Sequence, residues 1–309
     1  MKEGIVTKAT GNLYSVEDLE GIKYSCRIKG KLRTYGLKST NPVAVGDNVI
    51  FEYSKENDIG YIIDIKERKN YIIRKSTNLS KQYHIIAANI DQAVLTVTIV
   101  EPETNTDFID RYLVSAEAFR IPVIIIFNKF DLYNGTILEK FNSLFTLYKK
   151  IGYYCIETST INGLNLSIVK ELLKDKITVI NGNSGTGKST IINSIYPGLD
   201  LKIGNISYYH KTGMHTTSYS EMFKIREGGY IIDTPGIKAF GLSDFYKEEL
   251  YHFFPEIFKI SNNCRFYNCT HIHEPGCFVL KAVDDGIISE SRYKSYFNLF
   301  YDENKKHRI

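Results

Sequence analysis

The sequence lacks the features of a membrane or secreted protein. No apolar run approaches the roughly 18 residues of a membrane span, and the N-terminus, MKEGIVTKAT, lacks the apolar core of a signal peptide. There is no internal repeat and no low-complexity segment, which argues against a repeat array or a disordered chain. Only five cysteines occur, and three of them lie between positions 264 and 277. That clustering favours a metal site in a reducing compartment over a disulfide framework, so we expect a cytoplasmic protein without a membrane partner.

The chain is long enough for two or three domains, with 309 residues of which 43% are hydrophobic. Its net charge of +4 arises at the N-terminus: residues 1–75 hold 14 Lys or Arg against 10 Asp or Glu, whereas the acidic and basic residues of the remainder balance. The stretch from Arg27 to Gly46 contains no acid and carries Arg27, Lys29, Lys31, Arg33 and Lys38. Such a segment is typical of a loop that binds a polyanion, and on charge alone a solvated loop fits equally well.

Residues 1 to about 70 predict a small antiparallel barrel. Short alternating segments recur about every ten residues, with turn signals such as Gly11-Asn12 and Gly46-Asp47 between them. The expected strands are Gly4–Thr7, Leu13–Val16, Ile22–Ile28, Asn48–Tyr53 and Gly60–Ile65. Five strands fit an OB-fold, a barrel that often binds RNA, and an SH3-like barrel fits the same pattern. We assign residues 1–72 to this unit.

From about residue 85, apolar strands alternate with helix-length segments, which predicts an α/β unit with a mostly parallel sheet and helices on both faces. The expected strands are Ala93–Val100, Val123–Phe127, Tyr153–Ile156, Ile177–Ile180, and a hairpin of Glu221–Arg226 and Tyr230–Ile232. The expected helices are Phe108–Phe119, Ile137–Tyr148 and Leu164–Leu173. We assign residues 73–244 to this unit. Residues 245–309 form a third, small unit with predicted helices at Tyr246–Phe254 and Ser289–Tyr301.

Residues 181–190, NGNSGTGKST, have the G-x-x-x-x-G-K-[ST] spacing of a phosphate-binding loop. The apolar strand Ile177–Ile180 precedes this loop and the helical segment Ile191–Ile195 follows it, which is the context that the chemistry requires. In such a loop backbone N–H groups surround the phosphates, the lysine reaches the β- and γ-phosphates, and the serine hydroxyl binds Mg²⁺. The predicted nucleotide contacts are Gly182, Asn183, Ser184, Gly185, Thr186, Gly187, Lys188, Ser189 and Thr190.

Two further motifs indicate that the nucleotide carries guanine. Asn128-Lys129-Phe130-Asp131 follows the strand Val123–Phe127 and matches the N-K-x-D element. The Asp131 carboxylate can accept hydrogen bonds from both N1–H and the N2 amine of guanine, which adenine cannot offer. After the next strand, Glu157-Thr158-Ser159-Thr160 is similar to the S-A element near the guanine oxygen, with Thr160 in place of alanine. We therefore predict base contacts from Asn128, Lys129, Asp131, Ser159 and Thr160.

Asp233-Thr234-Pro235-Gly236 matches the D-x-x-G element, in which the aspartate holds Mg²⁺ through water and the glycine N–H contacts the γ-phosphate. Ile237 follows at the position where many GTPases have a glutamine that orients the attacking water. Between the two motifs, Thr217 is the candidate switch threonine on Mg²⁺, and His215 is the candidate side chain near the γ-phosphate. We predict catalytic roles for Lys188, His215 and Thr217, with a structural role as the alternative for the histidine.

The cysteine cluster predicts a structural zinc site. Cys264, Cys269, His271 and Cys277 supply three thiolates and one imidazole, which form a closed tetrahedral set without a position for water. His273 is a competing ligand. Unrelated buried cysteines are the alternative explanation, as we expect for Cys26 and Cys155, which are isolated in the sequence and fit ordinary core residues.

The order of the motifs indicates a circular permutation, because N-K-x-D precedes the phosphate loop and the D-x-x-G element follows it. A permuted GTPase with a basic barrel before it and a Cys₃His unit after it resembles the RsgA family, also called YjeQ. The resemblance covers nearly the whole chain and includes the segments Ala88–Gln92, Asp110–Leu113, His215–Thr217 and Glu274–Cys277. Ser218, where a third threonine is common, and Thr160 depart from the family pattern, as does the stretch Val100–Asp107, to which we assign no function.

This resemblance implies a GTP hydrolase that binds the small ribosomal subunit and its rRNA late in assembly, is stimulated by the subunit and leaves after hydrolysis. It implies GTP or GDP, Mg²⁺ and one structural Zn²⁺ as ligands, and we expect a monomer. In the family, the hydrophobic residue after D-x-x-G and the histidine before the threonine pair are associated with the unusual catalysis, and they match Ile237 and His215 here. The rival readings are a GTP-gated RNA-binding module with incidental hydrolysis, and a different P-loop enzyme such as a kinase.

Overall fold

The computed structural model describes residues 1–30, 32, 42–75, 83–199, 221–233 and 246–301. Its first unit is a closed five-stranded barrel. The strands are β1 (Lys2–Thr10), β2 (Leu13–Asp18), β3 (Lys23–Ile28), β4 (Asn48–Ser54) and β5 (Ile59–Ile65). Their order is β1-β2-β3-β5-β4, and β4 also pairs with β1, which closes the barrel. This Greek-key order, with β3 parallel to β5, is that of an OB-fold and not of an SH3-like barrel.

The barrel core consists of inward-facing side chains from every strand. Tyr14, Phe51 and Ile62 are almost completely buried there. Cys26 on β3 also lies in this core, and burial raises the pKa of its thiol to about 12, so the side chain stays neutral. It is thus a core residue, as the sequence predicts. The apolar alternation that identifies the strands is the same pattern that fills the barrel.

A two-stranded hairpin that the sequence analysis did not predict follows the barrel. Its strands are β6 (Tyr71–Lys75) and β7 (Tyr83–Ala88), and the expected unit boundary at residue 72 falls within β6. Ala87 forms an isolated bridge with Val45 of the barrel, and the Asn89 amide donates to the Gly46 carbonyl oxygen at 2.9 Å. The family segment Ala88–Gln92 therefore joins the barrel to the strand that comes next.

The central unit is a six-stranded sheet with one antiparallel strand. Its elements in chain order are β8 (Gln92–Val97), α1 (Thr106–Ala118), β9 (Val123–Phe127), α2 (Gly135–Ile151), β10 (Tyr154–Glu157), α3 (Leu166–Leu173), β11 (Ile177–Asn181), α4 (Lys188–Ile195), β12 (Glu221–Lys224) and β13 (Tyr230–Asp233). The strand order is β10-β9-β8-β11-β13-β12, with only the β12–β13 pair antiparallel. The strand β9, which leads into N-K-x-D, precedes the phosphate-loop strand β11 in the chain, and both lie in one parallel sheet; this is the circularly permuted order that the motifs indicate.

Successive strand residues pack against helices on opposite faces of this sheet. Ile125 on β9 contacts the core formed with α1 and α2, whereas the adjacent Ile124 and Ile126 contact the core formed with α3 and α4. This alternation explains why these strands are apolar throughout, since both faces are covered. At the other edge β12 pairs with β1 of the barrel, where Lys8 lies 3.0 Å from Glu221.

The C-terminal unit is small and helical. It begins with a 3-10 helix (Lys247–Phe253) and continues with α5 (Pro255–Ser261), α6 (Phe278–Asp284) and α7 (Glu290–Tyr301). The cysteine cluster lies between α5 and α6, and α7 packs against α1 of the central unit. In the described part of the chain no helix has the length and apolar character to cross a bilayer.

Candidate nucleotide site and zinc centre

The phosphate loop lies at the carboxyl end of the parallel sheet, where β11 ends and α4 begins. Ser189 occupies the first turn of α4, which starts at Lys188. The Lys188 ammonium group donates to the carbonyl oxygens of Gly182 and Asn183, at 2.7 Å each. The cationic group is thus held against the loop at the positive end of a helix, an arrangement that suits phosphate.

Two glycines of this loop sit where no other residue fits. Gly182 has a φ of 143°, and a Cβ there would lie 2.2 Å from the Thr96 carbonyl oxygen. Gly187 has a φ of 90°, and a Cβ there would lie 2.2 Å from Asn128 Nδ2. Both positions therefore require the absence of a side chain for the loop to approach β8 and the loop after β9.

The N-K-x-D loop lies directly against the phosphate loop. Asn128 is buried, and its Nδ2 donates to the Thr186 carbonyl oxygen at 2.9 Å. Its Oδ1 accepts from the Thr158 hydroxyl at 3.0 Å, which connects it to the loop after β10. A single amide thus ties together three loops that follow three parallel strands, as expected for a site at the carboxyl ends of such strands.

Asp131 and Ser159, which are both predicted base contacts, form a hydrogen bond with each other. The Ser159 hydroxyl donates to Asp131 Oδ1 at 2.5 Å and accepts from the Ile161 N–H at 3.2 Å. A carboxylate has further acceptor capacity, so this contact orients Asp131 and leaves lone pairs for a ligand. Thr160 is half-buried in the turn that follows.

The structure adds two elements that the sequence analysis missed. The Tyr133 hydroxyl donates to the Asn128 carbonyl oxygen at 2.6 Å and accepts from the Ile99 N–H at 3.0 Å. Burial raises the pKa of Tyr133 to about 12, so its hydroxyl stays protonated and able to donate.

The second element is the segment after β8, since the Lys129 ammonium donates to the Glu101 carbonyl oxygen and Pro102 lies beside Gly185. No motif in the sequence points to Tyr133. Thr158, whose hydroxyl donates to Asn128, lies within the segment Glu157–Thr160 that the sequence already indicates.

Several predicted residues lie outside the described part of the chain. These are His215, Thr217, Gly236, Ile237 and the basic residues Lys31, Arg33 and Lys38. The backbone of Asp233 ends β13, which pairs with the phosphate-loop strand β11. Of the described basic residues, Arg27 is exposed, and the Lys29 ammonium lies 3.0 Å from Glu52 on the barrel surface.

The predicted zinc ligands converge on one point. Their ligand atoms all lie within 4.8 Å of one another, and the set is Cys264, Cys269, His271 and Cys277. His271 Nδ1 is 3.5 Å from Cys264 Sγ and 3.6 Å from Cys277 Sγ, and these two sulfurs are 3.9 Å apart. A tetrahedral zinc with bonds of about 2.3 Å to sulfur and about 2.0 Å to nitrogen would separate two sulfurs by about 3.8 Å and a sulfur from a nitrogen by about 3.5 Å. The donor set therefore fits zinc.

The surroundings of the cluster match its chemistry. Burial lowers the pKa of His271 to about 4, so the imidazole is neutral and can ligate a metal. The competing residue His273 is exposed and does not belong to the cluster. Cys155, in contrast, is a buried residue of the central core and lies apart from the other cysteines.

Comparison with known proteins agrees with this geometry. A sequence model of the RsgA GTPase family matches residues 65–243, and one of the RsgA N-terminal domain matches residues 3–62. The chain is 53% identical over 303 residues to the small ribosomal subunit biogenesis GTPase RsgA of Bacteroides fragilis, covering 98% of this chain and 97% of that protein. The chain belongs to the RsgA GTPase family. A relative of the same name from Christiangramia forsetii is 50% identical over 309 residues, covering 99% of this chain and 98% of that protein.

Two solved structures share the architecture of this chain. YjeQ from Thermotoga maritima is 36% identical, with a TM-score of 0.80 and 97% of each chain covered. The circularly permuted GTPase YloQ is 32% identical, with a TM-score of 0.74, covering 97% of this chain and 94% of that one. The family assignment therefore extends over the barrel, the permuted GTPase unit and the C-terminal unit.

Proposed function

We propose that this chain hydrolyses GTP and acts in the late assembly of the small ribosomal subunit, which it binds before hydrolysis and leaves afterwards. The observation that carries the nucleotide assignment is the Asn128–Thr186 hydrogen bond of 2.9 Å, which joins a guanine-recognition motif to a phosphate loop. The subunit assignment rests on the relatives named as small ribosomal subunit biogenesis GTPases at 50% to 53% identity over nearly the whole chain. The protein would work in the cytoplasm as a monomer.

In this proposal the guanine base contacts the residues after β9 and β10. Asp131 accepts from N1–H and the N2 amine, while Asn128, the Lys129 stem, Ser159 and Thr160 hold the base in place. The phosphates contact the whole loop from residue 182 to 190, with Lys188 on the β- and γ-phosphates.

The phosphate end of the site would use residues near the two switch motifs. Ser189, Thr217 and Asp233 would hold Mg²⁺, which neutralises phosphate charge when it is bound. Gly236 would donate its N–H to the γ-phosphate. Because the aliphatic Ile237 cannot orient water, we assign that task to His215, whose imidazole can exchange a proton near neutral pH.

The other two units would serve the ribosomal partner. We propose that Cys264, Cys269, His271 and Cys277 hold one zinc ion that fixes the loops between α5 and α6. The zinc ion would have a structural role, because protein ligands fill all four of its coordination positions and leave none for water. The basic segment from Arg27 to Lys38 would contact rRNA phosphates. The division into units at 1–72, 73–244 and 245–309 is part of the same proposal.

The deciding experiment measures GTP turnover with and without purified small ribosomal subunits, at low and at raised salt. We expect strong stimulation by the subunit that falls as salt rises, because phosphate contacts release counterions. Lys188→Ala should abolish both rates and serves as the control for contaminating activity. Subunit binding without stimulated turnover would instead favour the GTP-gated binding module. Equal competition by ATP would favour a different P-loop enzyme.

A further inference from the structure

A cleft of about 310 Å³ opens beside the zinc ligands on the surface of the C-terminal unit. The least exposed part of its lining, here called the inner wall, consists of Cys264, Cys269 and His271, and Tyr251 also lines the cleft. The outer wall comes from the loop after α5 and includes Asn262, Arg265, Phe266 and Tyr267. The volume is far larger than a metal ion needs, and it lies near the lower end of the range of small-ligand pockets.

The outer wall presents aromatic and basic groups to solvent. Tyr267 is 98% exposed and Phe266 is 41% exposed, although both rings sit on a loop anchored by two zinc ligands. The Arg265 guanidinium lies 5.4 Å from the centre of the Phe266 ring, and among the residues that the structure describes it forms no ion pair. Solvent-exposed aromatic rings are the usual platform for stacking an unpaired base.

No carboxylate lines this cleft, so no acidic side chain there would repel an anionic ligand. The sequence contains no Asp or Glu between Glu256 and Glu274. Glu256 is paired with the buried Arg292 at 2.6 Å. The Glu274 carboxylate accepts from the N–H groups of Thr270, Ile272 and His273 at 2.8 to 3.1 Å, so it is bound within its own loop. The groups free to meet a ligand are therefore the rings, the Asn262 amide and the Arg265 cation.

We propose that this cleft binds one unpaired nucleotide of a single-stranded RNA segment, with the base stacked on Tyr267 and the phosphate on Arg265. The orientation follows from the side chains themselves, because the Arg265 cation attracts the phosphate and the neighbouring aromatic ring offers a face for the base. The Asn262 amide can hydrogen-bond to the edge of the base. This inference rests on the proposed function, which supplies RNA of the small ribosomal subunit as the source.

The test uses the full chain and a short, unstructured, uridine-rich RNA that carries one 4-thiouridine. We expect irradiation to cross-link this RNA to the peptide that contains Phe266 and Tyr267. Tyr267→Ala should weaken binding of the RNA by about tenfold, whereas Tyr267→Phe, which keeps the ring, should bind like the wild type. An abasic RNA of the same length should bind wild type and Tyr267→Ala equally, because it retains phosphates but offers no base.

Two controls keep the outcome interpretable. Tyr154→Ala removes a different solvent-accessible tyrosine, which lies on β10 and is 50% exposed, and it should not change binding. Zinc content should stay the same in all variants, which shows that the C-terminal unit is intact. If Tyr267→Ala loses zinc, two measurements on the wild type test the proposal instead. These are the mapped position of the cross-link and the comparison of base-containing with abasic RNA.

The proposal is overturned if cross-links occur only in the barrel, or if zinc-loaded Tyr267→Ala binds both RNAs like the wild type. It is likewise overturned if the wild type does not distinguish base-containing from abasic RNA. These assays contain neither GTP nor ribosomal subunits. Their failure would leave subunit-stimulated hydrolysis standing, and loss of that stimulation would leave the RNA cross-link standing, so the two failures are distinguishable.

Discussion

The Arg292 guanidinium on α7 lies 2.7 Å from Asp110 Oδ1 on α1, and both side chains are almost completely buried. Arg292 also contacts Glu256 of α5 at 2.6 Å, and its guanidinium stacks over the Phe254 ring at 4.7 Å. The Tyr148 hydroxyl donates to the same Asp110 oxygen at 2.8 Å. The C-terminal unit is thus fixed to a helix of the GTPase sheet by a buried ionic contact, and that helix starts at the loop beside Lys129 and Gly185.

Removing the cation from this cluster should strongly destabilise the protein. Arg292→Met keeps much of the apolar stem but leaves Asp110 and Glu256 without their partner, which costs about 3–5 kcal/mol. Urea denaturation followed by fluorescence would measure the shift. The matched control is Lys140→Met, whose partner Glu103 is exposed and whose loss should cost at most about 1 kcal/mol. Equal shifts for the two variants would contradict a stabilising role for the buried cluster.

Asp131→Asn should change base preference. The asparagine oxygen can accept from N1–H, but its amine faces the guanine N2 amine, so GTP binding should fall at least about tenfold. Xanthine has a carbonyl oxygen at that position and can accept from the new amine, so XTP should gain affinity. Competition of both nucleotides against a fluorescent GDP measures this. An unchanged preference for GTP over XTP would show that Asp131 does not read the base.

Tyr133→Phe should weaken nucleotide binding without altering the catalytic step. The change removes only the hydroxyl that bridges the Asn128 carbonyl oxygen and the Ile99 N–H, and it loosens the loop that presents Asn128. We expect the affinities for GTP and GDP to fall by about tenfold while kcat with subunits stays the same. Tyr154→Phe on the exposed edge strand is the control. If Tyr133→Phe lowered thermal stability but left the affinities for GTP and GDP unchanged, Tyr133 would have a structural role only.

The sequence identifies those parts of the site in which a short motif follows an apolar strand. Asn128 after β9 and Lys188 after β11 could be placed near each other because parallel strands of one sheet end at the same edge. Tyr133 could not be found this way, since its contact with Ile99 spans two loops and carries no motif. The strand expected at Ala93–Val100 ends at Val97. Beyond it the Thr98 N–H donates to the Thr104 hydroxyl at 3.1 Å, and the Thr104 N–H donates to the Thr98 carbonyl oxygen at 2.8 Å, so the chain turns instead of continuing the sheet.

The missed hairpin has a different physical cause. The register of β6 and β7 shifts between Ile72 and Ile73, so two adjacent isoleucines replace the alternation that marks a half-buried strand. The helices at Pro255–Ser261 and Phe278–Asp284 are seven residues each, too short to show a helical apolar period. Tertiary contacts with α7 and with the cysteine cluster determine these two short helices. A local sequence pattern does not predict such contacts.

Loss of one zinc ligand should release the metal and unfold the C-terminal unit. Cys269→Ser removes a buried thiolate of the cluster, and structural zinc contributes directly to the folding free energy of such a small unit. We expect one zinc per chain in the wild type and none in this variant, with faster proteolysis within residues 246–301. Cys155→Ser is the control, because Cys155 is buried away from the cluster and should leave the zinc content unchanged. Retention of zinc by Cys269→Ser would remove that residue from the ligand set.

His215→Ala should separate binding from catalysis. The chain has Ile237 where many GTPases have a water-orienting glutamine, and His215 lies two positions before the candidate magnesium ligand Thr217. We expect GTP affinity near that of the wild type and no stimulation of turnover by small ribosomal subunits. His215→Gln is a useful companion, because an amide can orient water but cannot accept and release a proton near neutral pH. Partial rescue by the glutamine would assign His215 to water positioning, and no rescue would assign it to proton transfer. Unchanged stimulation in His215→Ala would return this histidine to a structural role, and the attacking water would then need another partner.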